Sequence, residues 1–435
     1  MDFNVLDYGA IGDGISNDTI AIQKAIDLAS INKGRVILGS NKIYRSGILY
    51  FKSNITFYVE KGSMLKMSDE IDDFNYDDSS SIYIVKRPTY DNCDYNGMPT
   101  KFFIYGKDLE NINITGDGII DGNEEIFYGK VSENHIEGYF YPRIPLIFFE
   151  NSKNVNIYNI KLQRSAFWTI HLVGCNGVKI YDMEIENNIK FANSDGIDPD
   201  HSKNVLIENC KIKSADDCIV FKTTKANVGY GSLENIVVRN CELESACAAI
   251  KFGTESASDF KHVAVRNVKI NNSNRGIAIQ LRDEGSIYDV SFDDITIDTK
   301  RFTDLEWWGK AEPIAITAVR RTKDTKLGSV SNFRFNNIKM NSENGIFIYG
   351  ENNIRDISLN NIELCLENKT DYDKCIHDIR PSYKEGILKG PLNYLYILGA
   401  SDIKITNKKF YTKNLYEYLG QESLIINSKN IKIDK

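Results

Sequence analysis

Three aspartates, Asp195, Asp216 and Asp217, are the residues of this sequence best suited to chemistry. They lie in two short motifs, Ser-Asp-Gly-Ile and Asp-Asp-Cys-Ile, and in each the isoleucine follows an aspartate by two positions. If the two isoleucines are equivalent in successive repeats, Asp195 and Asp217 are neighbours and Asp216 lies beside them. Carboxylates held this close repel one another, which should raise the pKa of at least one of them. Such a group can supply an acid and a water-activating base, as in glycoside hydrolysis. A calcium site or solvated aspartates in turns would give the same pattern.

The elements that would position these aspartates form a repeat. A stretch of the form Asn-apolar-x-apolar-x-x-apolar-x-apolar recurs along the chain, mostly every 23 to 31 residues. One step, from Val290 to Phe333, is 43 residues, which indicates two turns of the repeat. The copies begin at Asn111, Asn154, Gly177, Asn204, Asn235, His262, Asp289, Asn332, Asp356 and Asp402.

Alternating apolar positions predict strands with one buried face, and no helical periodicity separates the copies. A unit this short cannot bury its apolar face alone, so it must stack on its neighbours. Hairpin signals between the strands are sparse, which disfavours a sandwich or a propeller. The sequence therefore predicts an all-β fold, a parallel β-helix that forms one catalytic domain over residues 1–435.

Three segments depart from the repeat. Residues 1–30 predict a strand and a short amphipathic helix, with Asn17 or Asp18 as the N-cap, that covers the open end of the solenoid. Residues 70–100 and 365–394 predict long loops, and binding in a rigid solenoid usually takes place on such loops.

Composition narrows the class of partner. The net charge of −7, from 53 basic and 60 acidic residues, argues against nucleic acid, and no apolar run is long enough for a membrane span. The eight cysteines lack metal-ligand spacing and are predicted to be buried thiols. We predict no metal and no cofactor, and nothing in the sequence indicates an oligomeric state. With no signal peptide, we expect a cytoplasmic protein if the chain is complete, and a secreted or periplasmic one if a leader was removed.

Residues 3–26, 193–200 and 215–222 give nearly the whole chain a resemblance to glycoside hydrolase family 28, the polygalacturonase-like pectin hydrolases. The resemblance implies a single-stranded right-handed β-helix and a pectic carbohydrate, galacturonan or rhamnogalacturonan-like, as the substrate. It also implies hydrolysis with inversion. By this resemblance Asp217 is the acid that protonates the glycosidic oxygen, while Asp195 and Asp216 activate the water.

Two features of the family are replaced in this chain. Residues 246–248 read Ala-Cys-Ala where the family usually has Gly-His-Gly, and Ala278 and Gln280 replace the Arg and Lys that bind a galacturonate carboxylate. Either Lys251 and Arg282 hold the carboxylate from new positions, or the reacting sugar carries no carboxylate. We expect the second, with a rhamnose-containing or branched pectic fragment as the substrate.

Aromatic and polar side chains near the aspartates complete the predicted site. Trp307 and Trp308 lie in a polar loop, where an exposed indole offers a stacking face to a sugar. His171 aligns with Asp198 on the neighbouring strand and is expected to form a hydrogen-bonded pair with it. The predicted substrate-binding residues are Trp168, Asp198, Lys222, Lys251, Arg275, Gln280, Arg282, Trp307 and Trp308, with His171 and Glu255 as supporting residues.

Two other functions remain open from the sequence. A β-helix of this kind could be a carbohydrate-binding or tail-type structural protein without catalysis, although such a protein has no reason to retain mutually repelling carboxylates. A polysaccharide lyase on the same fold would need a calcium cluster and an Arg or Lys that abstracts a proton.

Overall fold

The computed structural model of the protein describes residues 1–74, 102–138, 143–304, 306–384 and 386–434. It confirms the single-stranded right-handed parallel β-helix, because each strand of the main sheet pairs in parallel with the strands one coil before and one coil after it. Within these residues no helix is both long enough and apolar enough to cross a membrane.

Within the described residues, the secondary structure consists of one α-helix, α1 (Thr19–Asn32), a few 3-10 turns and many strands. The strands of the first half are β1 (Asp2–Asn4), β2 (Asp13–Asn17), β3 (Arg35–Leu38), β4 (Ile43–Ser46), β5 (Leu49–Tyr50), β6 (Ile55–Val59), β7 (Met64–Met67), β8 (Ile104–Lys107), β9 (Glu110–Thr115), β10 (Ile119–Asp121), β11 (Tyr128–Val131), β12 (Ile136–Gly138), β13 (Ile147–Glu150), β14 (Lys153–Tyr158), β15 (Lys161–Gln163), β16 (Ile170–Val173), β17 (Asn176–Tyr181) and β18 (Glu184–Glu186). Those of the second half are β19 (Ile197–Asp200), β20 (Lys203–Glu208), β21 (Lys211–Ser214), β22 (Ile219–Thr223), β23 (Leu233–Arg239), β24 (Glu242–Ser245), β25 (Ala248–Ser256), β26 (Phe260–Ser273), β27 (Arg275–Leu281), β28 (Ile287–Thr299), β29 (Ile314–Ala318), β30 (Val330–Ser342), β31 (Ile346–Glu367), β32 (Ile376–Asp378), β33 (Ile387–Lys389), β34 (Leu395–Lys413), β35 (Ser423–Ile426) and β36 (Lys429–Ile433).

Three parallel ladders run along the solenoid. The first joins β13, β16, β19, β22, β25, β27 and β29, and it carries the candidate catalytic aspartates at the start of its strands. The second joins β14, β17, β20, β23, β26, β28 and β30. The third joins β10, β15, β18, β21 and β24. The apolar side chains of all three ladders point inward and form one continuous core.

The second residue of each repeat forms one column of the second ladder, as the sequence predicts. Val178 pairs with Val205, and the register continues coil by coil to Val290. The prediction of two turns after Val290 is wrong, because Val290 pairs directly with Phe333. The extra residues form insertions before and after β29. They lengthen this coil and change the repeat spacing, but they do not add another coil.

Asparagine and aspartate hold the corners between the strands. The first residue of many repeats is left-handed, for example Asn154 at φ 52° and Asn235 at φ 60°. Asn and Asp tolerate this backbone region better than other residues with a side chain do. Asn235 Nδ2 also donates to Asn204 Oδ1 of the previous coil at 3.1 Å, so the corners are linked along the solenoid.

The N-terminal helix forms as predicted and packs its apolar face against the first coils. Asp18 is the N-cap residue but makes no side-chain capping hydrogen bond, whereas Asn17 Oδ1 accepts from the Thr19 amide at 3.0 Å. The Asp18 carboxylate turns back and accepts from the amides of Ile11 and Gly12.

The two predicted loops differ from the sequence prediction in different ways. Most of the first lies outside the described residues, which resume at residue 102 after a 3-10 turn at Ile71–Phe74. The second is not wholly irregular, because β32 and β33 form a small antiparallel hairpin within it. The seven cysteines within the described residues are free and mostly buried, in agreement with their prediction as thiols, and Cys93 lies outside those residues.

Candidate active site

The alignment of isoleucines that places the aspartates is confirmed. Ile197 pairs with Ile170 on one side and with Ile219 on the other, so Asp195 and Asp217 occupy equivalent positions in adjacent coils. The coils are joined up to this point, because the Gly196 amide donates to the Asp217 carbonyl at 2.9 Å. Both aspartate side chains are buried where the coil turns into the first ladder.

Asp216 lies in the turn just before this ladder and is half-buried. Its Oδ1 accepts from the Asp217 amide at 3.1 Å, and its Oδ2 accepts from the Asn193 amide at 3.2 Å. These backbone contacts fix the carboxylate beside Asp217. No ion pair joins Asp216 to a cation within the part of the chain that the structure describes.

Lys251 forms a close ion pair with Asp217. It lies on β25, the next strand of the ladder, and its Nζ is 2.7 Å from Asp217 Oδ2. Burial disfavours the charge of Lys251, but the Asp217 carboxylate raises the lysine's pKa above its ordinary value, so the lysine remains an ammonium. Asp217 Oδ1 has no hydrogen-bond partner in the described part of the chain.

A second ammonium, Lys222, lies among three further carboxylates. Its Nζ is 3.2 Å from Glu255 Oε2, 3.8 Å from Asp198 Oδ1 and 4.0 Å from Asp195 Oδ2. The Trp168 ring lies beneath the same ammonium, with its centroid 4.1 Å from Nζ. Burial raises the pKa of Asp198 well above the ordinary value, although Lys222 opposes this effect.

The repulsion that the sequence predicts affects the catalytic candidates themselves. Burial raises the pKa of Asp195 well above the ordinary value, the charge of Asp216 adds to this, and Lys222 opposes it. The pKa of Asp216 is also raised, first by burial and then by Asp217, while the Lys251 ammonium lowers it. The group therefore holds a proton more readily than separate aspartates would.

A cavity of about 240 Å³ opens above these side chains. Its floor is the first ladder, and its walls come from the segments that leave the coils on either side. The predicted site residues that line it are Asp195, Asp216, Asp217, Lys222, Lys251, Glu255, Trp307 and Trp308. The structure thus brings together the aspartates, two lysines, one glutamate and the tryptophan pair.

Five predicted substrate-binding residues lie outside this cavity lining, and three of them are on or next to β27. Arg275 is fully buried, and its Nε contacts Glu312 Oε2 at 3.0 Å. Arg282 is also buried and donates to backbone carbonyl oxygens, among them that of Pro381 at 2.5 Å. Gln280 is buried on β27, and its Nε2 has no hydrogen-bond partner within the described residues. The structure therefore does not place Arg282 where it could hold a sugar carboxylate in the cavity.

Trp168 and Asp198 are buried beneath the cavity rather than in its lining. The expected hydrogen bond between His171 and Asp198 is absent, although the two residues pair in register as predicted. The His171 ring instead contacts Asp200, which lies two positions further along the neighbouring strand and on the same face, with Nε2 3.3 Å from Oδ2.

The tryptophan pair is less exposed than the sequence suggests. Trp307 is only 3% exposed, because its Nε1 donates to the Asn134 carbonyl at 2.9 Å and its ring packs against His135. Trp308 is half-buried, and the guanidinium of Arg380 lies 5.8 Å from its ring centroid. Both indoles still contribute to the cavity wall.

Other residues of the lining were not found from the sequence. Most of them lie on insertions or turns with no repeat pattern, so no periodicity could assign them to the site. They are His135, Ala192, Asn193, Cys247, Thr254, Glu306 and Pro381. Of these, Asn193 had a local signal, since it precedes Asp195 by two positions within the same motif.

One group of side chains has the spacing of a metal site. Ligand atoms of Asp216, Asp217 and Cys247 all lie within 4.8 Å of one another. Calcium takes six to eight oxygen ligands, and a buried thiol whose pKa is raised well above the ordinary value by burial is a poor substitute. These residues do not fit the calcium cluster that a lyase would need.

Comparison with known proteins identifies the family. The sequence profile described as Glycosyl hydrolases family 28 matches residues 64–302, and a profile described as Rhamnogalacturonase A/epimerase, pectate lyase-like, matches residues 3–69. A probable polygalacturonase of Vitis vinifera is 26% identical over 287 residues, which are 64% of this chain and 56% of the grape protein. An endo-polygalacturonase of Pectobacterium parmentieri is 24% identical over 361 residues, or 80% of this chain and 84% of that protein.

A solved structure shows the same fold. The family 28 exopolygalacturonase of Yersinia enterocolitica superposes with a TM-score of 0.72 at 18% identity, covering 100% of this chain and 78% of that one. The first family profile spans more than half of the chain and includes all three aspartates. The protein therefore belongs to glycosyl hydrolases family 28.

Proposed function

We propose that the protein hydrolyses glycosidic bonds of pectic glycans or oligosaccharides by general acid–base catalysis. The observation that carries this proposal is the convergence of Asp195, Asp216 and Asp217 on one cavity that is large enough for a sugar ring. Family membership and the polygalacturonases among the relatives support the same substrate class. A binding protein without catalysis would gain nothing from the charge repulsion in this site.

The contacts suggest a division of roles among the aspartates. The pKa values of Asp195 and Asp216 are both raised, but Asp216 is the less buried of the two and has no ion pair within the described residues, which suits the acid that protonates the departing oxygen. Asp217 is paired with an ammonium and keeps Oδ1 available, which suits a base. This assignment exchanges the roles that the family resemblance implies for Asp216 and Asp217.

Asp195 completes the set by holding the water. Its Oδ1, like that of Asp217 in the next coil, has no hydrogen-bond partner in the described part of the chain. A water between these two oxygens loses a proton to Asp217 as its oxygen bonds to the anomeric carbon. The anomeric carbon–oxygen bond breaks, and Asp216 gives its proton to the leaving oxygen. Attack from the face opposite the leaving group inverts the anomeric carbon.

We propose further that the reacting sugar carries no carboxylate. Among the described residues, the charged ones in the lining are Asp195, Asp216, Asp217, Glu255 and Glu306 on the acidic side and Lys222 and Lys251 on the basic side. Both lysines already contact carboxylates. An acidic sugar would therefore enter a site with an excess of like charge and would lose its hydration there.

A comparison of kcat/KM across a substrate panel tests the proposed function. The panel contains unbranched oligogalacturonate, oligosaccharides derived from rhamnogalacturonan, and neutral pectic side chains. We expect hydrolysis of pectic substrates, with preference for a bond on the anomeric carbon of an uncharged sugar. The Asp216→Asn variant, purified identically, is the control for contaminating activity.

Two results would count against these proposals separately. A folded protein that hydrolyses no member of the panel contradicts the hydrolase function. Efficient cleavage of unbranched oligogalacturonate contradicts only the uncharged sugar. If Lys251→Ala loses this cleavage and keeps its activity on neutral substrates, Lys251 is the carboxylate ligand.

A further inference from the structure

The cavity is closed by insertions that arise on opposite sides of the catalytic coils. The hairpin of β11 and β12 leaves the solenoid between β10 and β13, two coils before Asp195. Residues 300–313 leave it between β28 and β29, at the end of the coil that follows the one carrying Lys251. Each insertion places residues in the cavity wall, His135 in the first case and Trp307 in the second.

The two insertions contact each other directly. Trp307 Nε1 donates to the Asn134 carbonyl at 2.9 Å, and the Trp307 ring meets His135 edge-on with centroids 5.0 Å apart. We refer to this contact between Asn134, His135 and Trp307 as the bridge. A polysaccharide that lies along successive coils needs an open groove on both sides of the cleaved bond. The bridge places His135 and Trp307 in the wall of the cavity, where such a groove would have to continue.

Both ends of the bridge are anchored. The hairpin is held to the segment before Asp195, since the Ala192 amide donates to the Ile136 carbonyl at 3.0 Å. On the other side, Arg380 Nη2 contacts the Trp307 carbonyl at 3.4 Å. Such anchoring favours a permanent wall over a loop that opens for each substrate.

The volume of the cavity agrees with a closed site. About 240 Å³ is below the roughly 300–1,000 Å³ that is usual for ligand sites. An apolar cavity of about 150 Å³ holds a benzene ring, so this one has room for a single sugar ring with its hydroxyl groups and not for a row of them.

We propose that the cavity accepts only the non-reducing end of a glycan and that the enzyme releases one sugar residue per cleavage. This inference rests on the proposed function. The sugar beside the carboxylates is the one whose anomeric carbon is attacked, so the rest of the chain is the leaving group and extends out of the cavity. Because the cavity formed by the described residues has room for a single ring, that sugar is the terminal one.

The products of a substrate labelled at its reducing end test the inference. We use an oligosaccharide of the type that is hydrolysed best in the panel, carrying a fluorophore at the reducing end, and separate the early products by size. We expect labelled products that are one residue shorter, together with unlabelled monosaccharide from the first time point. Labelled products of several intermediate lengths at that time point would overturn the inference and leave the hydrolase function intact. Absence of all cleavage would overturn the proposed function, and this inference with it.

Variants of the bridge provide a second test. Trp307→Ala removes the ring and its hydrogen bond, so we expect a fraction of internal cleavage. Trp307→Phe keeps a ring against His135 and should retain more terminal cleavage. Tyr416→Ala, which alters an exposed aromatic outside the cavity lining, is the control with the wild-type pattern. Strictly terminal cleavage by a folded Trp307→Ala enzyme would contradict the role of the bridge.

Discussion

Holding Asp195, Asp216 and Asp217 close together in their charged forms costs free energy, and two lysines reduce that cost. Burial and mutual repulsion raise the pKa of Asp195 and Asp216, while Lys222 and Lys251 oppose that rise. Neither lysine could be assigned this role from the sequence, where both were candidate ligands for the substrate. The side-chain contacts that decide the matter lie between coils and depend on the direction of each side chain from its strand.

The roles of the adjacent aspartates can be separated by the quality of the leaving group. On natural oligosaccharides, Asp216→Asn and Asp217→Asn should each lower kcat by roughly 10²–10⁴-fold, as expected for loss of an acid or a base. An aryl glycoside with a nitrophenolate leaving group needs no acid. We therefore expect Asp216→Asn, and not Asp217→Asn, to recover most of its loss on that substrate.

The opposite outcome would reverse the assignment of the two aspartates. If Asp217→Asn is the variant that recovers on the aryl glycoside, then Asp217 is the acid, as the family resemblance implies. Circular dichroism of both variants excludes unfolding as the cause of lost activity.

The pH dependence of kcat/KM tests the contact between Lys251 and the catalytic aspartates. Because the acid must carry a proton, activity falls as the pH rises through the pKa of Asp216, which lies above the ordinary value of 3.8. The Lys251 ammonium lowers that pKa, so Lys251→Met should move the alkaline limb to higher pH. Lys211→Met, which alters an exposed lysine on β21, should leave the limb in place. A limb that stays unchanged or moves to lower pH in Lys251→Met would refute the assignment.

Among the elements of the fold, the first ladder contributes to the proposed catalysis in one part of its length and to stability in another. Around β19 and β22 its leading residues form the site, whereas around β27 and β29 the equivalent position holds a buried ion pair between Arg275 and Glu312. The aligned isoleucines in the sequence indicate which residues begin these strands, but they do not reveal the pairing of Arg275 with Glu312. The insertion before β29 interrupts the repeat, so the coil that contains Glu312 could not be recognised from the sequence, and no partner for Arg275 could be identified.

We predict that Arg275 stabilises the fold and does not bind substrate. Arg275→Met leaves the Glu312 carboxylate buried without its cation, which should cost about 3–5 kcal/mol and lower the Tm. The double variant Arg275→Met/Glu312→Met removes both charges and should recover part of that loss. Thermal unfolding and KM are measured together, and a raised KM with an unchanged Tm would show that Arg275 contacts the substrate after all.

Across the whole molecule, the regular part was predictable and the insertions were not. Repeated apolar pairs such as Ile197 and Ile219 encode the register of the coils, and the register alone brings Asp195 next to Asp217. The walls of the cavity come from segments without periodicity, and their contacts, such as that of Trp307 with Asn134, join residues far apart in the chain. Sequence patterns therefore indicate the chemistry, while the shape of the site requires the folded structure.

The stereochemistry of the first product is the sharpest test of the proposed hydrolysis, because it reports turnover and the direction of water attack together. Proton NMR during hydrolysis of the best oligosaccharide of the panel shows which anomer forms before mutarotation. We expect the anomer opposite to that of the bond cleaved, because the proposed mechanism places the water held by Asp195 and Asp217 on the face away from the leaving group. Formation of the retained anomer would contradict it, because one of the aspartates would then be a covalent nucleophile.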